Sequence, residues 1–318
     1  MAGRARRVAG RPSVRPWLLG LTALLFLALV VASFKALPDD RDLRPGLLVV
    51  LVLVAAPSTL LLNATEYRIM ASALDHDVDL RGAMRVSIAA TVVNYLPIPA
   101  PGGIAVRTAA LARRGSTIRS AISINAVMGL LWAGLAAMGA GVALLFQPDL
   151  ARRGAFIAAG GVVAVVASAV LVRQTGPRWR RVFVAMALTE AGLVVTSGLR
   201  VWLSLAAIGQ PASLGASLAI SCSTVVAALV GIAPAGLGLR EAVAGGIAAA
   251  VNVPVAAAVA ASAVDRVASQ VGLLLCAPFT GLRWRDLTGR GPARDAGGEP
   301  VEELVDEVDG APHVEEPA

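Results

Sequence analysis

Pro101-Gly102-Gly103-Ile104-Ala105-Val106-Arg107 returns in the second half of the chain as Pro234-Ala235-Gly236-Leu237-Gly238-Leu239-Arg240. Both copies read Pro, any residue, Gly, a branched aliphatic, a tiny residue, a branched aliphatic, Arg. At the same offset upstream, Thr91-Val92-Val93 aligns with Thr224-Val225-Val226, and Leu96 with Leu229. Each copy interrupts an apolar stretch with Pro and Gly, then sets an Arg where another apolar residue is expected. In a membrane chain, interrupted segments at corresponding places in two halves point to a transport site.

That the chain is a membrane protein follows from composition. Hydrophobic residues make up 57% and charged residues 15%, with a mean hydropathy of +0.73. A soluble chain carries more charge and fewer apolar runs of spanning length. Nine of the 21 acids fall after residue 294, where no Lys or Arg occurs, leaving 28 basic against 12 acidic side chains before it. The Arg residues flank apolar segments, so the basic excess reads as topology anchors and contacts to anionic phospholipid, and not as a nucleic-acid surface. Cys222 and Cys276 sit in apolar stretches and read as inert thiols, while His76 and His313 are isolated. Neither a metal site, a cofactor loop nor a nucleophile–base set is visible, so no catalytic residue is assigned.

The apolar runs cover residues 17–34, 46–66, 83–97, 104–112, 120–146, 155–172, 182–207, 213–232, 237–251 and 254–278. Several are long enough to span a bilayer. The pairs 83–97/104–112 and 213–232/237–251 are short and broken by Pro and Gly. Each half therefore reads helix, helix, broken segment, helix. The expected organisation is a basic cytoplasmic N-terminus (1–16), a first membrane repeat (17–146), a second (155–280) and a disordered acidic tail (295–318). If each broken segment dips in and returns to its own side, each half crosses three times and the halves are inverted. Arg68, Arg81, Arg85, Arg113, Arg114, Arg119, the Arg173–Arg181 loop and Arg283 then fall on one side with the N-terminal Arg cluster. That obeys the positive-inside rule. If both segments cross, the Arg173–Arg181 loop moves outside, a poorer fit. The expected fold is thus an all-α polytopic membrane protein with two inverted repeats. Each holds three transmembrane helices plus one re-entrant hairpin, and both termini are cytoplasmic at the plasma (inner) membrane.

A re-entrant tip leaves backbone N–H groups free at the start of its second half-helix, and that end carries partial positive charge. Arg107 or Arg240 just past such a tip makes an anion cup, because a guanidinium holds phosphate with two parallel bonds. The competing reading is that each Arg pairs with a neighbouring helix. Glu190 and Asp265-Arg266 are further charges inside apolar helices, where a charge costs roughly 2.5–3.5 kcal/mol on insertion scales and needs a partner or a wet cavity. Arg240-Glu241 and Asp265-Arg266 can pair with one another. Arg200 reads as snorkelling from the outer end of its helix, and Asn94 as satisfying broken backbone or touching substrate. The substrate-binding candidates are therefore Arg107, Arg240, Glu241, Arg266, Glu190, Asp265 and Asn94. The tip residues are Pro101, Gly102, Gly103, Pro234, Gly236 and Gly238.

Pro234-Ala235-Gly236-Leu237-Gly238-Leu239-Arg240-Glu241-Ala242 resembles the Pro/Gly-rich, Gly-x-x-Glu signature of the lysylphosphatidylglycerol synthase transmembrane-region family of flippase-like membrane proteins. The spacing to Arg266 is similar, as is Leu96-Pro97 followed by Gly102-Gly103, Arg107 and Arg113-Arg114-Gly115. The resemblance covers about residues 17 to 280. It departs at Ile104-Ala105-Val106, where many members carry an acid, and between Ser123 and Leu131, where several carry a Glu-Arg pair. The resemblance implies a lipid-translocating membrane domain with two re-entrant segments, and the soluble synthase domain of the bifunctional relatives is expected to be absent. The expected function is a non-enzymatic flippase-like transporter of an anionic or aminoacylated phospholipid, or of a lipid-linked substrate. The alternative is a non-transporting membrane subunit that scaffolds or regulates an envelope-lipid or cell-wall enzyme.

Overall fold

The computed structural model describes residues 27–28, 31–37, 42–94, 102–147, 149–174, 176–230 and 238–281. The tip residues Pro101, Pro234 and Gly236, the N-terminal segment 1–16 and the acidic tail 295–318 lie outside them.

Every regular element among these residues is helical. Residues 27–28 and 31–35 are helical, and after them, in chain order, come α1 (Pro45–Ala73), α2 (Leu80–Asn94), α3 (Gly102–Ala112), α4 (Ile118–Leu145), α5 (Ala151–Arg173), α6 (Trp179–Ala207), α7 (Leu214–Ser221), α8 (Ser223–Val230), α9 (Leu239–Ala250) and α10 (Val255–Cys276). Five of them, namely α1, α4, α5, α6 and α10 with its 3₁₀ extension to Thr280, are long and apolar enough to cross a membrane. The chain is an all-α polytopic membrane protein. Phe156, Val163, Val166, Val170 and Leu188 face outward, as expected where lipid is the solvent.

Helix α1 runs past the apolar run that announced it. Pro57 has no N–H to donate back into the preceding turn, and a π-turn occupies Leu51–Ala55 just before it. The helix then continues to Ala73 and buries Glu66, Tyr67, Met70 and Ala71. Thr117 and Ser213 start α4 and α7 as N-caps, their hydroxyls accepting the N–H of Ser120 and Ala216 at 3.1 Å.

Helices α4 and α5 form a close antiparallel pair, with small residues spaced by seven where the backbones meet. A Cβ placed on Gly141 falls 2.5 Å from the Ala158 nitrogen, and one on Gly161 falls 2.6 Å from the Gly134 carbonyl oxygen. Backbone cannot yield as a side-chain tip can. Gly141→Leu is expected to destabilise the bundle by at least the ~1–3 kcal/mol of ordinary overpacking, read as an earlier thermal unfolding midpoint in detergent. Gly129→Leu, where the added Cβ meets nothing within 4 Å, is the control.

The direction of each long helix follows from two apolar clusters. One gathers Tyr67 and Met70 of α1, Ala121 and Ile124 of α4, Val172 of α5 and Met186 of α6. The other gathers Leu37, Val201 and Leu205 of α6, Ala257 of α10 and, packed against it, Ala143 and Leu144 of α4. Arg44 N–H donates to the Ala207 carbonyl at 2.9 Å, so the start of α1 lies with the second cluster. Arg85 Nε donates to the Thr280 carbonyl at 2.7 Å, so the end of α10 lies with the first. The five long helices thus run alternately between a Gly115 end and a Pro211 end.

The broken segments do not follow that alternation. Gly103 N–H donates to Asn94 Oδ1 at 2.6 Å, and Arg114 Nη1 donates to the Asp77 carbonyl at 3.4 Å. Helices α2 and α3 are therefore the arms of a hairpin with its base at the Gly115 end. Ala83 and Leu111, near the two feet, share the cluster at that end. In the second half, Ala216 of α7 and Ala248 and Val251 at the end of α9 share the opposite cluster. That hairpin, α7–α8 out and α9 back, has its base at the Pro211 end. The two hairpins enter the bundle from opposite ends.

Candidate functional site

Each hairpin returns to its base through a helix that carries an Arg in its first turns. Arg107 lies just over one turn into α3 and reaches across to α1. Its Nη1 donates to Glu66 Oε1 at 2.7 Å and its Nη2 to Asn63 Oδ1 at 3.2 Å. Asn63 spends its own amide on the Thr59 carbonyl at 2.8 Å, which fixes its oxygen toward Arg107. Glu190 on α6 lies within electrostatic reach of both Glu66 and Arg107. It is 1% exposed, and its Oε1 has no hydrogen-bond partner among the described residues. Asn94 caps the start of α3 by accepting the Gly103 N–H, one of the donors that a broken helix leaves over. A Cβ on Gly103 would lie 2.7 Å from Asn94 Nδ2 and 3.1 Å from the Ala90 carbonyl oxygen, so only glycine lets the arms close this far.

The second cluster is larger. Arg200 of α6 holds Asp265 of α10 with a fork, Nε to Oδ1 at 2.7 Å and Nη2 to Oδ2 at 2.9 Å. Its Nη1 also donates to Thr59 Oγ1 at 3.2 Å, and its Nη2 meets Ser269 Oγ. Arg240 of α9 donates from Nη2 to the same Asp265 Oδ2 at 2.6 Å. One residue on, Arg266 returns the exchange. Its Nε and Nη2 donate to Glu241 Oε1 at 3.2 and 2.9 Å. The adjacent pairs Arg240-Glu241 and Asp265-Arg266 therefore cross-link α9 and α10 twice. Glu241 Oε2 also accepts the Gly238 N–H at 2.9 Å. Gly238 has φ +78°, a conformation that costs other L-residues roughly 1–2 kcal/mol, so glycine is required there by backbone shape.

Arg107 and Arg240 both pair with acids on neighbouring helices, the competing reading to bare anion cups. Glu241, Asp265 and Arg266 come together with Arg240, whereas Glu190 and Asn94 belong with Arg107. Arg200 does not snorkel: its side chain is 11% exposed and ends on Asp265. Its height near one end of α6 suggested water, but an acid from another helix meets it first. Glu66, Asn63, Thr59 and Ser269 were not singled out from sequence. For Glu66 the sequence does carry a signal, an acid that closes the long apolar run 46–66.

Charge bookkeeping separates the two clusters. Among the described residues, Asp265 and Glu241 are the acids that Arg200, Arg240 and Arg266 meet, so three cations stand against two acids there. The first sets Arg107 against Glu66 and Glu190. The tip segments 95–101 and 231–237 add no charged side chain. Both clusters sit on the same two helices. Thr59 and Glu66 are about 10 Å apart along α1, and Glu190 and Arg200 about 15 Å apart along α6. Helix α6, with 29 residues, is about 43 Å long, so both clusters fall within its apolar length, on either side of its middle.

No protein-family model matches the chain, and no curated protein matches it either.

Proposed function

We propose that this chain is a flippase-like transporter that carries an anionic or aminoacylated phospholipid, or a lipid-linked substrate, between leaflets. The headgroup would pass along the polar track made by the two charged clusters while the acyl tails stay in the bilayer. The observation that carries this reading is the pair of hairpins entering from opposite ends, each delivering an Arg to a charged cluster inside an apolar bundle. Three cations against two acids among the described residues of the second cluster favour an anionic group such as phosphate. The resemblance of Pro234–Ala242 to the lysylphosphatidylglycerol synthase transmembrane region points the same way. On this reading the hairpins are re-entrant and the two halves are inverted repeats. Purified protein in liposomes should speed the loss of the inner-leaflet fluorescent phosphatidylglycerol that is otherwise protected from an externally added, membrane-impermeant quencher. A rate equal to that of protein-free liposomes counts against transport.

A second reading is favoured by one feature. Arg266 and Glu241 are 4% and 0% exposed and pair with each other, which is how an ion pair looks when it only joins helices. A chain built that way serves as a membrane subunit that scaffolds or regulates an envelope-synthesis enzyme.

Orientation follows from the end-to-end bias of Arg. Arg68, Arg81, Arg85, Arg113, Arg114, Arg119 and the loop from Arg173 to Arg181 belong to the Gly115 end, which is proposed to be cytoplasmic, together with both termini, at the plasma (inner) membrane. Cysteines introduced at Gly115 and in the Arg173–Arg181 loop are expected to react with an impermeant maleimide only after the cells are opened. One at Pro211 should react in intact cells. Labelling of the first two from outside removes this orientation.

A further inference from the structure

Glu190 is a buried acid for which the ion-pair network among the described residues leaves no cation of its own. Arg107, the guanidinium within its reach, already holds Glu66 Oε1 at 2.7 Å and Asn63 Oδ1 at 3.2 Å. Among the described residues, the other elements packed on α6 supply no further charge at this level. Helix α4 has no ionisable side chain from Ser120 to Leu145, and α7 has none. The charges of α5 lie at its ends, in Arg152, Arg153 and Arg173. On α10, Asp265 and Arg266 are taken up by Arg200, Arg240 and Glu241. On α1, Arg68 turns to the Val78 carbonyl at 2.9 Å, and Tyr67 carries a buried neutral hydroxyl. The Cys222 thiol, between α7 and α8, donates to the Ala136 carbonyl at 3.3 Å.

Two buried carboxyls therefore share one guanidinium. With both ionised, the cluster keeps one uncompensated negative charge inside the apolar bundle, the state such interiors disfavour most. An exchangeable proton removes it. We propose that Glu190 and Glu66 form a proton-binding site, in which Glu66 stays the ionic partner of Arg107 and Glu190 takes up the proton. The proton comes from water and returns to water, forming and breaking only the carboxyl O–H bond. Arg107, with a side chain 16% exposed, marks the side on which the cluster opens. The site stands whether or not the chain moves lipid; a role for it in coupling a proton gradient to translocation rests on the transport reading.

The test is infrared spectroscopy of the full chain in lipid nanodiscs, with carboxyl-labelled glutamate, at neutral pH. The expected result is a label-sensitive carbonyl stretch of one protonated carboxylic acid per chain. Charge balance then fixes the variants. Glu190→Gln and Glu66→Gln each leave one acid facing Arg107, so the band disappears. Arg107→Gln leaves two acids and no cation, so the band roughly doubles. A merely structural role for these residues gives no reason for opposite changes. A wild-type protein without the band, or a band unchanged in all three variants, overturns the proposal. So does loss of the band on adding sodium at constant pH, which assigns the site to a metal cation. The wild-type spectrum needs no variant to fold, and none of these outcomes depends on lipid movement.

Discussion

Asp265→Ala is expected to cost the bundle more stability than any other substitution named for it. The carboxylate is 2% exposed and is the shared anion of two guanidiniums, held by a fork from Arg200 and a single bond from Arg240. Its removal leaves two like charges close together in an apolar interior without the acid they share. Breaking a buried pair from one side costs about 3–5 kcal/mol, which for a domain of this size lowers the unfolding midpoint on the order of 10 °C. The measurement is thermal unfolding in detergent, followed by circular dichroism. Asp265→Asn, which keeps the shape but not the charge, should lose nearly as much. Combining Asp265→Asn with Arg240→Gln removes one of the opposed cations and should recover part of the loss. An Asp265→Ala protein that unfolds at the parental temperature would show that the cluster is not the clamp between α6, α9 and α10 that its geometry implies.

Much of this arrangement is legible in the residues. Pro and Gly around Gly102 and Gly238 interrupt segments too short to span, and those segments are hairpins. The excess of Arg near Gly115 and in the Arg173–Arg181 loop groups residues that the structure places at one end. The neighbouring pairs Arg240-Glu241 and Asp265-Arg266 announce their own exchange, since each offers what the other lacks. Glu66 and Arg200 are different. Sequence gives the height of a residue on its helix but not the direction it faces. In helices that are apolar nearly all round, such as α1 and α6, the usual contrast between a buried and a wet face is missing, so rotation about the axis is not encoded by periodicity. The π-turn before Pro57 turns the rest of α1 further, and with it Thr59, Asn63 and Glu66. Which acid meets Arg200 is decided by α10, far along the chain, and no local pattern carries it. The same limit applies to Glu190, whose isolation appears only once Arg107 is seen to be taken.

Arg240→Gln is expected to abolish lipid movement while leaving a folded protein, and the two clusters explain why these effects separate. Asp265 keeps its fork to Arg200 in this variant, so no buried carboxylate is orphaned. Glu241 keeps Arg266 and its bond from Gly238 N–H. What is lost is one of the three cations that stand against two acids among the described residues of the cluster. That excess is what an anionic headgroup would meet between the hairpins, and charge-assisted bonds to a charged group contribute about 1.5–3 kcal/mol. Such a loss corresponds to roughly a 10- to 100-fold slower translocation of fluorescent phosphatidylglycerol in liposomes. Arg240→Lys restores the charge but not the planar fork, so it should recover only part of the rate. Arg107→Gln is a poorer probe of the same idea, because it strands Glu66 and Glu190 together and disturbs the protonation of that cluster as well. If Arg240→Gln moves lipid at the parental rate, the excess charge plays no part in carrying an anion, and the Arg240–Asp265 bond is a joint between helices and nothing more.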